Sequence, residues 1–251
     1  MNIQWNAERY SEHFQFVHQY GRDVFSLIDA PSGAFVVDLG CGNGALSAQL
    51  NEMGFHVLGI DASPEMLATA RREHPDLDFL LADAINFTLN TPADVIFSNA
   101  VFHWIDAAQQ NRMLKNLASQ LKKGGQLVCE FGGKGCAEQV HSCLERAFQR
   151  RGLYYRRMFY FPSIGEYTSR MEACGFKTVY AILFDRFTRQ ESKNGLTDWI
   201  RMFVTEPFRD LDPETEQEIL KEAEEELRPS LYQNGNWYID YVRIRLKAVK
   251  Q

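Results

Sequence analysis

Short apolar segments alternate with helical stretches through the first half of the chain, and this alternation restricts the fold more than any other feature. Such segments are typical of buried strands and lie at residues 35–39, 57–60, 79–81, 95–97 and 127–131. Helical stretches separate most of them, and the last stretch begins at Asp106 and stops at Gly124. Apolar strands joined by right-handed helical crossovers pair in parallel and are covered on both faces. The sequence therefore predicts an α/β fold with a doubly wound sheet.

The second half of the chain predicts a different arrangement of strands. Ser163 is placed to cap a helix, residues 176–187 predict a long strand, and residues 213–227 predict a charged helix. Close to the C-terminus, apolar residues alternate with Arg243 and Arg245, which is typical of a half-exposed strand. The two late strands lack an obvious crossover helix of the earlier type. We therefore expect them to pair antiparallel at one edge of the sheet.

Composition argues against several classes of protein. The formal net charge is −6, whereas a protein that grips a nucleic-acid backbone usually presents a basic surface. No run of about 20 apolar residues predicts a transmembrane helix, and the polar N-terminus carries no apolar signal core. The five cysteines include no C-x-x-C pair, which favours reduced thiols over disulfides or a zinc site. We therefore expect a cytoplasmic protein with no nucleic-acid partner, no membrane partner and no metal.

A glycine-rich segment lies between the first predicted strand and the helix that follows it. Its residues Gly40, Gly42 and Gly44 allow a tight turn and a close approach of the backbone to a ligand. At the end of the next strand, Asp61 can accept hydrogen bonds from ribose hydroxyls. The spacing Gly40-x-Gly42-x-x-Ala45 also fits the fingerprint of NAD and FAD proteins. The loop by itself therefore leaves more than one adenosine-containing cofactor open.

Side chains at the ends of other strands help to separate these cofactors. Asp38 precedes the glycine segment, where a carboxylate can reach the amino group of an amino-acid tail. Asp83 follows the third strand and can accept a hydrogen bond from an adenine amino group, while residues 98–104 follow the fourth strand, where a ligand crevice is expected. Together with Asp61, these acids suit a cationic, adenosine-bearing ligand and would repel a pyrophosphate.

Four motifs resemble the successive cofactor motifs of class I S-adenosylmethionine-dependent methyltransferases. They lie at residues 38–44, 59–66, 82–84 and 98–104, and the turn at residues 123–125 is also similar. Within this superfamily the chain is similar to small-molecule enzymes of the trans-aconitate and malonyl-carrier-protein methyltransferase types. The resemblance covers about residues 30–135. It implies a Rossmann-like, seven-stranded sheet whose last two strands form an antiparallel hairpin.

The resemblance also implies which residues contact S-adenosylmethionine and its product, S-adenosylhomocysteine. Gly40 and Gly42 would lie against the cofactor, and Asp38 would lie near its amino-acid tail. The other implied contacts are Asp61 with the ribose, Ala62, Met66, Asp83 and Ala84 around the adenine, and Asn99 and Phe102 along the tail and sulfonium. Tyr10 could cover the tail, although core packing at helical spacing explains this residue equally well.

Methyl transfer from a sulfonium is an in-line displacement, so the protein must orient the reactants and exclude water. His103 follows the fourth strand and is the candidate general base, and the alternative is a His-Trp pair that only shapes the pocket wall. The candidate acceptor-binding residues are aromatic or cationic, namely Trp104, Tyr154, Arg156, Trp199 and Arg201. A cleft of this kind suits an acidic or aromatic acid.

These observations predict one methyltransferase domain over residues 1–251. Residues 1–29 would form an N-terminal helical cap, residues 30–135 the cofactor-binding core, and residues 136–251 the remaining sheet with substrate-cap insertions. We expect an enzyme that methylates a small-molecule acceptor on a carboxylic acid or a hydroxyl. An NAD-dependent oxidoreductase and a non-catalytic S-adenosylmethionine-binding module are the alternatives, and both a monomer and a dimer remain open.

Overall fold

A mixed eight-stranded sheet forms the centre of the computed structural model, which describes residues 23–192 and 194–251. The strands are β1 (Phe35–Leu39), β2 (His56–Asp61), β3 (Asp78–Leu81), β4 (Ala93–Asn99), β5 (Leu121–Gly132), β6 (Phe176–Arg189), β7 (Tyr232–Gln233) and β8 (Asn236–Lys250). Their order is β3-β2-β1-β4-β5-β8-β6, and the short β7 pairs with β8. The first five strands are parallel, whereas β8 is antiparallel to both β5 and β6. The predicted α/β sheet with antiparallel C-terminal strands is therefore confirmed.

Helices connect these strands, and one of them begins at the cap predicted at Ser163. They are α1 (Ala45–Glu52), α2 (Pro64–Glu73), α3 (Gln110–Gln120), α4 (Glu138–Arg150), α5 (Ile164–Ala173), α6 (Gly195–Phe203), α7 (Thr205–Phe208) and α8 (Pro213–Leu231), and Phe102–Trp104 form one 3₁₀ turn. The hydroxyl of Ser63 accepts a hydrogen bond from the N–H of Met66, and the hydroxyl of Ser163 accepts one from the N–H of Glu166. Within the described ranges, none of these helices has the length and apolar character needed to cross a membrane.

Apolar side chains cover both faces of the sheet. Val36 of β1 packs in a cluster with Leu50 of α1. The next residue, Val37, belongs to the cluster on the opposite face, which contains Met113 of α3 and Tyr167 of α5. Successive side chains of a strand point to opposite faces, so a strand covered on both faces is apolar at every position. This is why the parallel strands are recognisable as unbroken apolar segments in the sequence.

A second apolar core is built mainly from the late helices. Its buried members include Leu144 of α4, Leu196 of α6 and Leu220 of α8, together with Trp237 near the start of β8. These helices all follow residue 135, in the part of the chain where insertions were predicted. Most of the predicted N-terminal cap, residues 1–22, lies outside the described residues.

The predicted boundaries of α3 are wrong at both ends. The helix begins at Gln110 rather than at Asp106, and no side chain caps its first turn. It also ends earlier than predicted, because Leu121 already pairs with Ala93 in the sheet. Gly124, with φ of +79°, instead belongs to an irregular start of β5, where the register with β4 shifts.

The C-terminal strands differ from the prediction in two respects. Arg243 of β8 is buried, although the alternating pattern predicted an exposed position, because Glu130 of the adjacent β5 forms an ion pair with it. The eighth strand was not predicted. Asn234 and Gly235 have φ of 50° and 79°, and this two-residue turn joins β7 to β8 as a tight hairpin.

Candidate active site

The glycine-rich loop joins β1 to α1 at the carboxyl end of the strand. Gly40, Gly42 and Gly44 have φ of 77°, 55° and 82°. Gly40 is also sterically constrained, since a Cβ at this position would lie 2.1 Å from Cγ2 of Val101. The loop can follow this path only because Gly40 has no side chain, as the sequence indicated.

Asp61 at the end of β2 links this loop to the start of α2. Its Oδ2 accepts a hydrogen bond from the N–H of Gly42 at 2.9 Å, and its Oδ1 accepts one from the N–H of Ser63 at 2.8 Å. Burial raises the pKa of Asp61, while the backbone hydrogen bonds act in the opposite direction. Each carboxylate oxygen keeps a further lone pair, so Asp61 can hold the loop and still accept hydrogen bonds from a ligand.

Asp38 of β1 is a buried carboxyl group next to the loop, with 1% of its surface exposed. Its Oδ2 accepts a 2.6 Å hydrogen bond from the hydroxyl of Ser47 in α1. The pKa of Asp38 is raised to about 7, chiefly by burial; the Ser47 hydrogen bond opposes this shift and the charge of Asp61 adds to it. A cation close to Asp38 would favour its carboxylate form.

A cavity begins at the glycine loop and extends past the end of β4. Its first part, the cofactor half, contains eight of the predicted cofactor residues: Gly40, Gly42, Asp61, Ala62, Met66, Asp83, Ala84 and Asn99. Its second part, the aromatic half, is lined by Trp104, Phe159, Phe161, Trp199, Phe203 and Tyr241, together with Arg186 and Arg243. Asp38 does not belong to the lining, and the predicted residue Tyr10 lies outside the described residues.

Phe102, a predicted cofactor contact, does not line the cavity. This side chain is fully buried in the core, where its ring centroid lies 5.4 Å from that of Phe131 and 6.5 Å from that of Tyr167. Its neighbours Val101 and His103 line the cavity instead. The segment forms a single 3₁₀ turn, whose side chains point in different directions, and the sequence did not indicate which of them faces the cavity.

His103 lines the cavity but is poorly suited to accept a proton. Its Nδ1 accepts a hydrogen bond of 3.3 Å from the N–H of Gly132. Burial holds the pKa of His103 well below 6.5, and the charge of Arg243 lowers it further. The neutral ring with Nδ1 as acceptor carries its hydrogen on Nε2. His103 can therefore donate a hydrogen bond from Nε2, whereas the sequence suggested a general base.

The predicted acceptor residues fall into two groups. Trp104 and Trp199 line the aromatic half, as expected. Tyr154, with 84% of its surface exposed, and the exposed Arg156 do not line the cavity. Arg201 lies outside it as well, because its Nε donates to Glu216 of α8 at 3.0 Å and the side chain is exposed. None of these three predicted acceptor residues therefore lines the cavity.

The cationic groups of the aromatic half are Arg186 of β6 and Arg243 of β8, neither of which the sequence singled out. Both form ion pairs with Glu130 of β5. The alternating pattern of β8 suggested solvent-exposed arginines, and no local signal in β6 marks Arg186. Within residues 23–192 and 194–251, no group of three or more His, Cys, Asp or Glu is placed to hold a metal ion.

Comparisons with known proteins agree with this geometry. A family model described as a methyltransferase domain matches residues 36–125, which include the glycine loop and Asp61. The chain is 27% identical over 263 residues to an uncharacterized methyltransferase of Schizosaccharomyces pombe, with 98% of each chain covered. It is 29% identical over 236 residues to the trans-aconitate 2-methyltransferase of Methylobacterium nodulans, with 88% of this chain and 87% of the relative covered.

A solved structure supports the fold assignment. Magnesium protoporphyrin IX methyltransferase from Synechocystis, solved with bound S-adenosylhomocysteine, superimposes with a TM-score of 0.55 at 19% identity, covering 94% of this chain and 83% of that chain. The sheet order, the glycine loop and the acids at the strand ends are consistent with these similarities. Residues 36–125 match a methyltransferase domain, and these similarities together support a class I S-adenosylmethionine-dependent methyltransferase.

Proposed function

We propose that the protein transfers the methyl group of S-adenosylmethionine to an oxygen of a small carboxylic acid, with a hydroxyl as the second candidate acceptor. The observation that carries this proposal is the aromatic half of the cavity, which contains Arg186 and Arg243 and is continuous with the cofactor half. Guanidinium groups bind carboxylates in a planar, bidentate manner, and aromatic walls bind the hydrocarbon part of such acids. The methyltransferase assignment displaces the NAD-dependent alternative.

The cofactor half fits S-adenosylmethionine through its glycine loop and its acids. In this proposal Gly40 and Gly42 bring the backbone against the cofactor, and Asp61 accepts hydrogen bonds from the ribose hydroxyls. Asp38 does not line the cavity, but it lies next to the glycine loop, where its charge would compensate the ammonium group of the amino-acid tail. That cation would favour the carboxylate form of Asp38 against its raised pKa. The remaining contacts would be Ala62, Met66, Asp83 and Ala84 around the adenine and Asn99 beside the tail.

The protonation state of His103 favours a carboxylate acceptor over a hydroxyl. When bound, S-adenosylmethionine supplies an electrophilic methyl group that a nucleophile accepts in one displacement. A carboxylate is already anionic at neutral pH and needs no base, whereas a hydroxyl acceptor needs a group that removes its proton. The neutral His103 ring can donate a hydrogen bond from Nε2, which orients an acceptor oxygen without taking a proton from it.

The named relatives and the composition also support a small acid as acceptor. The relative from Methylobacterium nodulans is named for trans-aconitate, which is an acid. The net charge of −6 makes a nucleic-acid acceptor unattractive. We therefore propose a free small molecule as the partner and the cytoplasm as the site of action, with residues 1–251 acting as one methyltransferase domain.

The test combines cofactor binding with a product assay. S-adenosylhomocysteine at a hundred times its Kd should stabilise the purified protein by about 2.7 kcal/mol, and NADH should not. Asp61→Ala should lose this stabilisation, whereas Asp76→Ala, at an exposed acid after α2, should keep it. Mass spectrometry then follows methyl transfer from S-adenosylmethionine to a panel of carboxylic acids and a panel of hydroxyl compounds.

Each outcome of this assay decides between the candidate functions. Methyl esters formed from one or more carboxylic acids would support the proposal. Products formed only from hydroxyl compounds would contradict the carboxylate acceptor but keep the methyltransferase. Cofactor binding without a product from either panel would favour the non-catalytic S-adenosylmethionine-binding module.

A further inference from the structure

We propose that His141 of α4 determines which acceptors bind, because its Nε2–H donates a hydrogen bond to a carbonyl oxygen of the acceptor, remote from the carboxylate that is methylated. The preferred acceptors are then carboxylic acids that carry a second, uncharged oxygen function, such as a ketone. This inference rests on the proposed function, because it specifies the acid that the aromatic half receives. It depends on the tautomer of His141 and on the aromatic rings around this residue.

His141 is a buried and neutral imidazole. Only 2% of its surface is exposed. Its pKa is lowered to about 4, chiefly by burial; the charge of Arg157 adds to this shift and the charge of Glu138 opposes it. At neutral pH the ring therefore carries one hydrogen, on either Nδ1 or Nε2. The position of that hydrogen decides whether Nε2 donates or accepts a hydrogen bond.

The hydroxyl group of Tyr155 fixes the position of this hydrogen. Its oxygen lies 2.6 Å from Nδ1 of His141, and the part of the chain that the structure describes gives the hydroxyl no other hydrogen-bond partner. Burial raises the pKa of Tyr155, so the phenol keeps its own hydrogen. The phenol can donate that hydrogen only to Nδ1, which must then be unprotonated. The hydrogen of the imidazole therefore lies on Nε2.

Nε2 of His141 is thus a buried donor that lacks an acceptor. Among the described residues, none forms a hydrogen bond with this atom. A buried donor without a partner is destabilising, and such groups are rare in native proteins. Since Nδ1 is turned toward Tyr155, Nε2 points away from Tyr155, on the other side of the imidazole ring.

The other rings around His141 belong to the wall of the cavity. The centroid of the imidazole lies 5.6 Å from that of Phe159, 6.2 Å from that of Phe161 and 6.2 Å from that of Trp199. All three of these rings line the aromatic half. His141 does not line the cavity itself, so it lies directly behind this wall. One layer of rings therefore separates the cavity from the donor.

Two of these rings belong to a segment in which the side chains have more freedom than the backbone. Residues 153–163 form neither helix nor strand, and Phe159 and Phe161 are only partly buried. The backbone between them is held, because the N–H of Tyr160 donates to the carbonyl oxygen of His103 at 3.0 Å. Side chains that are not fully packed change rotamer rapidly. In this proposal, rotation of either ring lets the acceptor reach Nε2.

The surroundings of Nε2 favour a carbonyl group over other oxygen functions. A carboxylate would be buried against a single neutral donor, which is costly. A hydroxyl would bring a hydrogen of its own among rings that accept hydrogen bonds poorly, and the indole Nε1 of Trp199 is itself a donor, bonded to the hydroxyl of Tyr241 at 2.5 Å. A carbonyl oxygen accepts the hydrogen bond and brings no hydrogen.

The first measurement compares the affinities of matched acids and does not require turnover. The protein is loaded with S-adenosylhomocysteine and titrated by calorimetry with oxo acids and with the acids in which a methylene group replaces the ketone. The pairs are 6-oxoheptanoate with heptanoate, 7-oxooctanoate with octanoate, and 4-acetylbenzoate with 4-ethylbenzoate. Polarity alone disfavours the oxo acid in an aromatic cavity. We nevertheless expect at least one oxo acid to bind about threefold or more tightly than its counterpart, the usual effect of one hydrogen bond.

The second measurement locates the hydrogen of the imidazole. NMR spectra of the protein with isotope-labelled histidines distinguish a hydrogen on Nε2 from one on Nδ1. We expect the hydrogen of His141 on Nε2, and its signal should shift when the preferred oxo acid binds but not when the methylene counterpart binds. The exposed His56 is the internal reference, and its signals should stay the same.

Variants separate recognition from folding. The double variant His141→Phe with Tyr155→Phe removes both members of the hydrogen bond and keeps two rings in the core, and its preference for the oxo acid should vanish. Tyr155→Phe alone releases the imidazole hydrogen to either nitrogen, so the preference should fall without vanishing. His56→Phe, at an exposed histidine of β2, is the matched control and should leave the preference unchanged. The affinity of each variant for S-adenosylhomocysteine shows whether the fold is retained.

The outcomes distinguish this inference from the proposed function. The inference would be overturned if no oxo acid binds more tightly than its counterpart, or if the preference persists in the double variant. A His141 hydrogen on Nδ1 would also overturn it, as would an Nε2 signal that ignores the oxo acid because a water molecule holds the donor. If the double variant does not fold, the spectra of the wild-type protein decide. Oxo acids that bind selectively but are not methylated would contradict the proposed function alone, and methylation of both acids of each pair at equal affinity would contradict the inference alone.

Discussion

Replacing Asp38 by asparagine should stabilise the cofactor-free protein at alkaline pH while weakening its affinity for S-adenosylmethionine. Burial raises the pKa of Asp38 from 3.8 to about 7, so the folded protein holds this proton more tightly than the unfolded chain does. The carboxyl group therefore favours folding when it is protonated. This contribution is lost as the pH rises from about 4 through 7, and above that range Asp38 is a buried charge.

The magnitude follows from the difference between the two pKa values. A shift of about three pH units corresponds to about 4 kcal/mol of unfolding free energy, nearly all of which is lost near pH 8. Near pH 5 the folded protein still holds the proton, and the loss is below about 2 kcal/mol. The gain from Asp38→Asn should therefore be about 2.5 kcal/mol larger near pH 8 than near pH 5. Effects of the amide on the Ser47 hydrogen bond are the same at both pH values and cancel in this difference.

The assay is urea unfolding of the wild-type protein and of Asp38→Asn near pH 5 and near pH 8, without cofactor. Asp94→Asn is the matched control on the neighbouring strand β4. The pKa of Asp94 is lowered, chiefly by its hydrogen bond with Lys122, so its loss should destabilise the protein and the sign of the effect is opposite. Calorimetry of S-adenosylmethionine binding should show a higher Kd for Asp38→Asn, because the neutral amide cannot compensate the charge of the cofactor's ammonium group.

A stability difference between Asp38→Asn and the wild type that does not change with pH would refute this reasoning. It would mean that Asp38 ionises normally in the folded protein. An unchanged Kd for S-adenosylmethionine would separately remove Asp38 from the cofactor site.

Two further predictions concern the loop and the histidine. Gly40→Ala, with its Cβ 2.1 Å from Val101, should lower the Tm and abolish stabilisation by S-adenosylhomocysteine. The control is Gly165→Ala, at an exposed helical position with open space around the added Cβ. It should keep the stabilisation by S-adenosylhomocysteine and add up to about 1 kcal/mol to the free energy of unfolding. Equal Tm values for the two variants would contradict the steric argument. Because burial holds the pKa of His103 well below 6.5, profiles of kcat/KM between about pH 6 and 8 should have the same shape in the wild type and in His103→Ala. An inflection that disappears in the variant would restore His103 as a general base.

Local patterns in the sequence were sufficient to predict the cofactor half of the cavity. Gly40, Gly42 and Asp61 sit at strand ends, and the carboxyl ends of parallel strands meet at one edge of a sheet. Their convergence therefore follows from the fold class alone. The sequence did not indicate that Phe102 packs in the core, because the direction of a side chain in a short 3₁₀ turn depends on what packs against it.

The aromatic half could be predicted only in part. Trp104 and Trp199 were identified by residue type, but so were Tyr154 and Arg156, which are exposed. Residue type indicates what a side chain can bind, whereas its position relative to the cavity depends on how the insertions pack. Arg201, on α6, illustrates this limit, since Glu216 of α8 holds it away from the cavity.

The sequence by itself determined the doubly wound parallel sheet, the glycine loop and the acids at the strand ends, because each can be recognised from a local pattern in the chain. Only the tertiary structure placed largely buried arginines beside the cavity. Glu130, Arg186 and Arg243 come from three strands that become neighbours through antiparallel pairing. Because these side chains are largely buried, solvent screens their charges only weakly. The protonation of Asp38 was likewise decided by burial, since the pKa of a carboxyl depends on the solvent and charges around it.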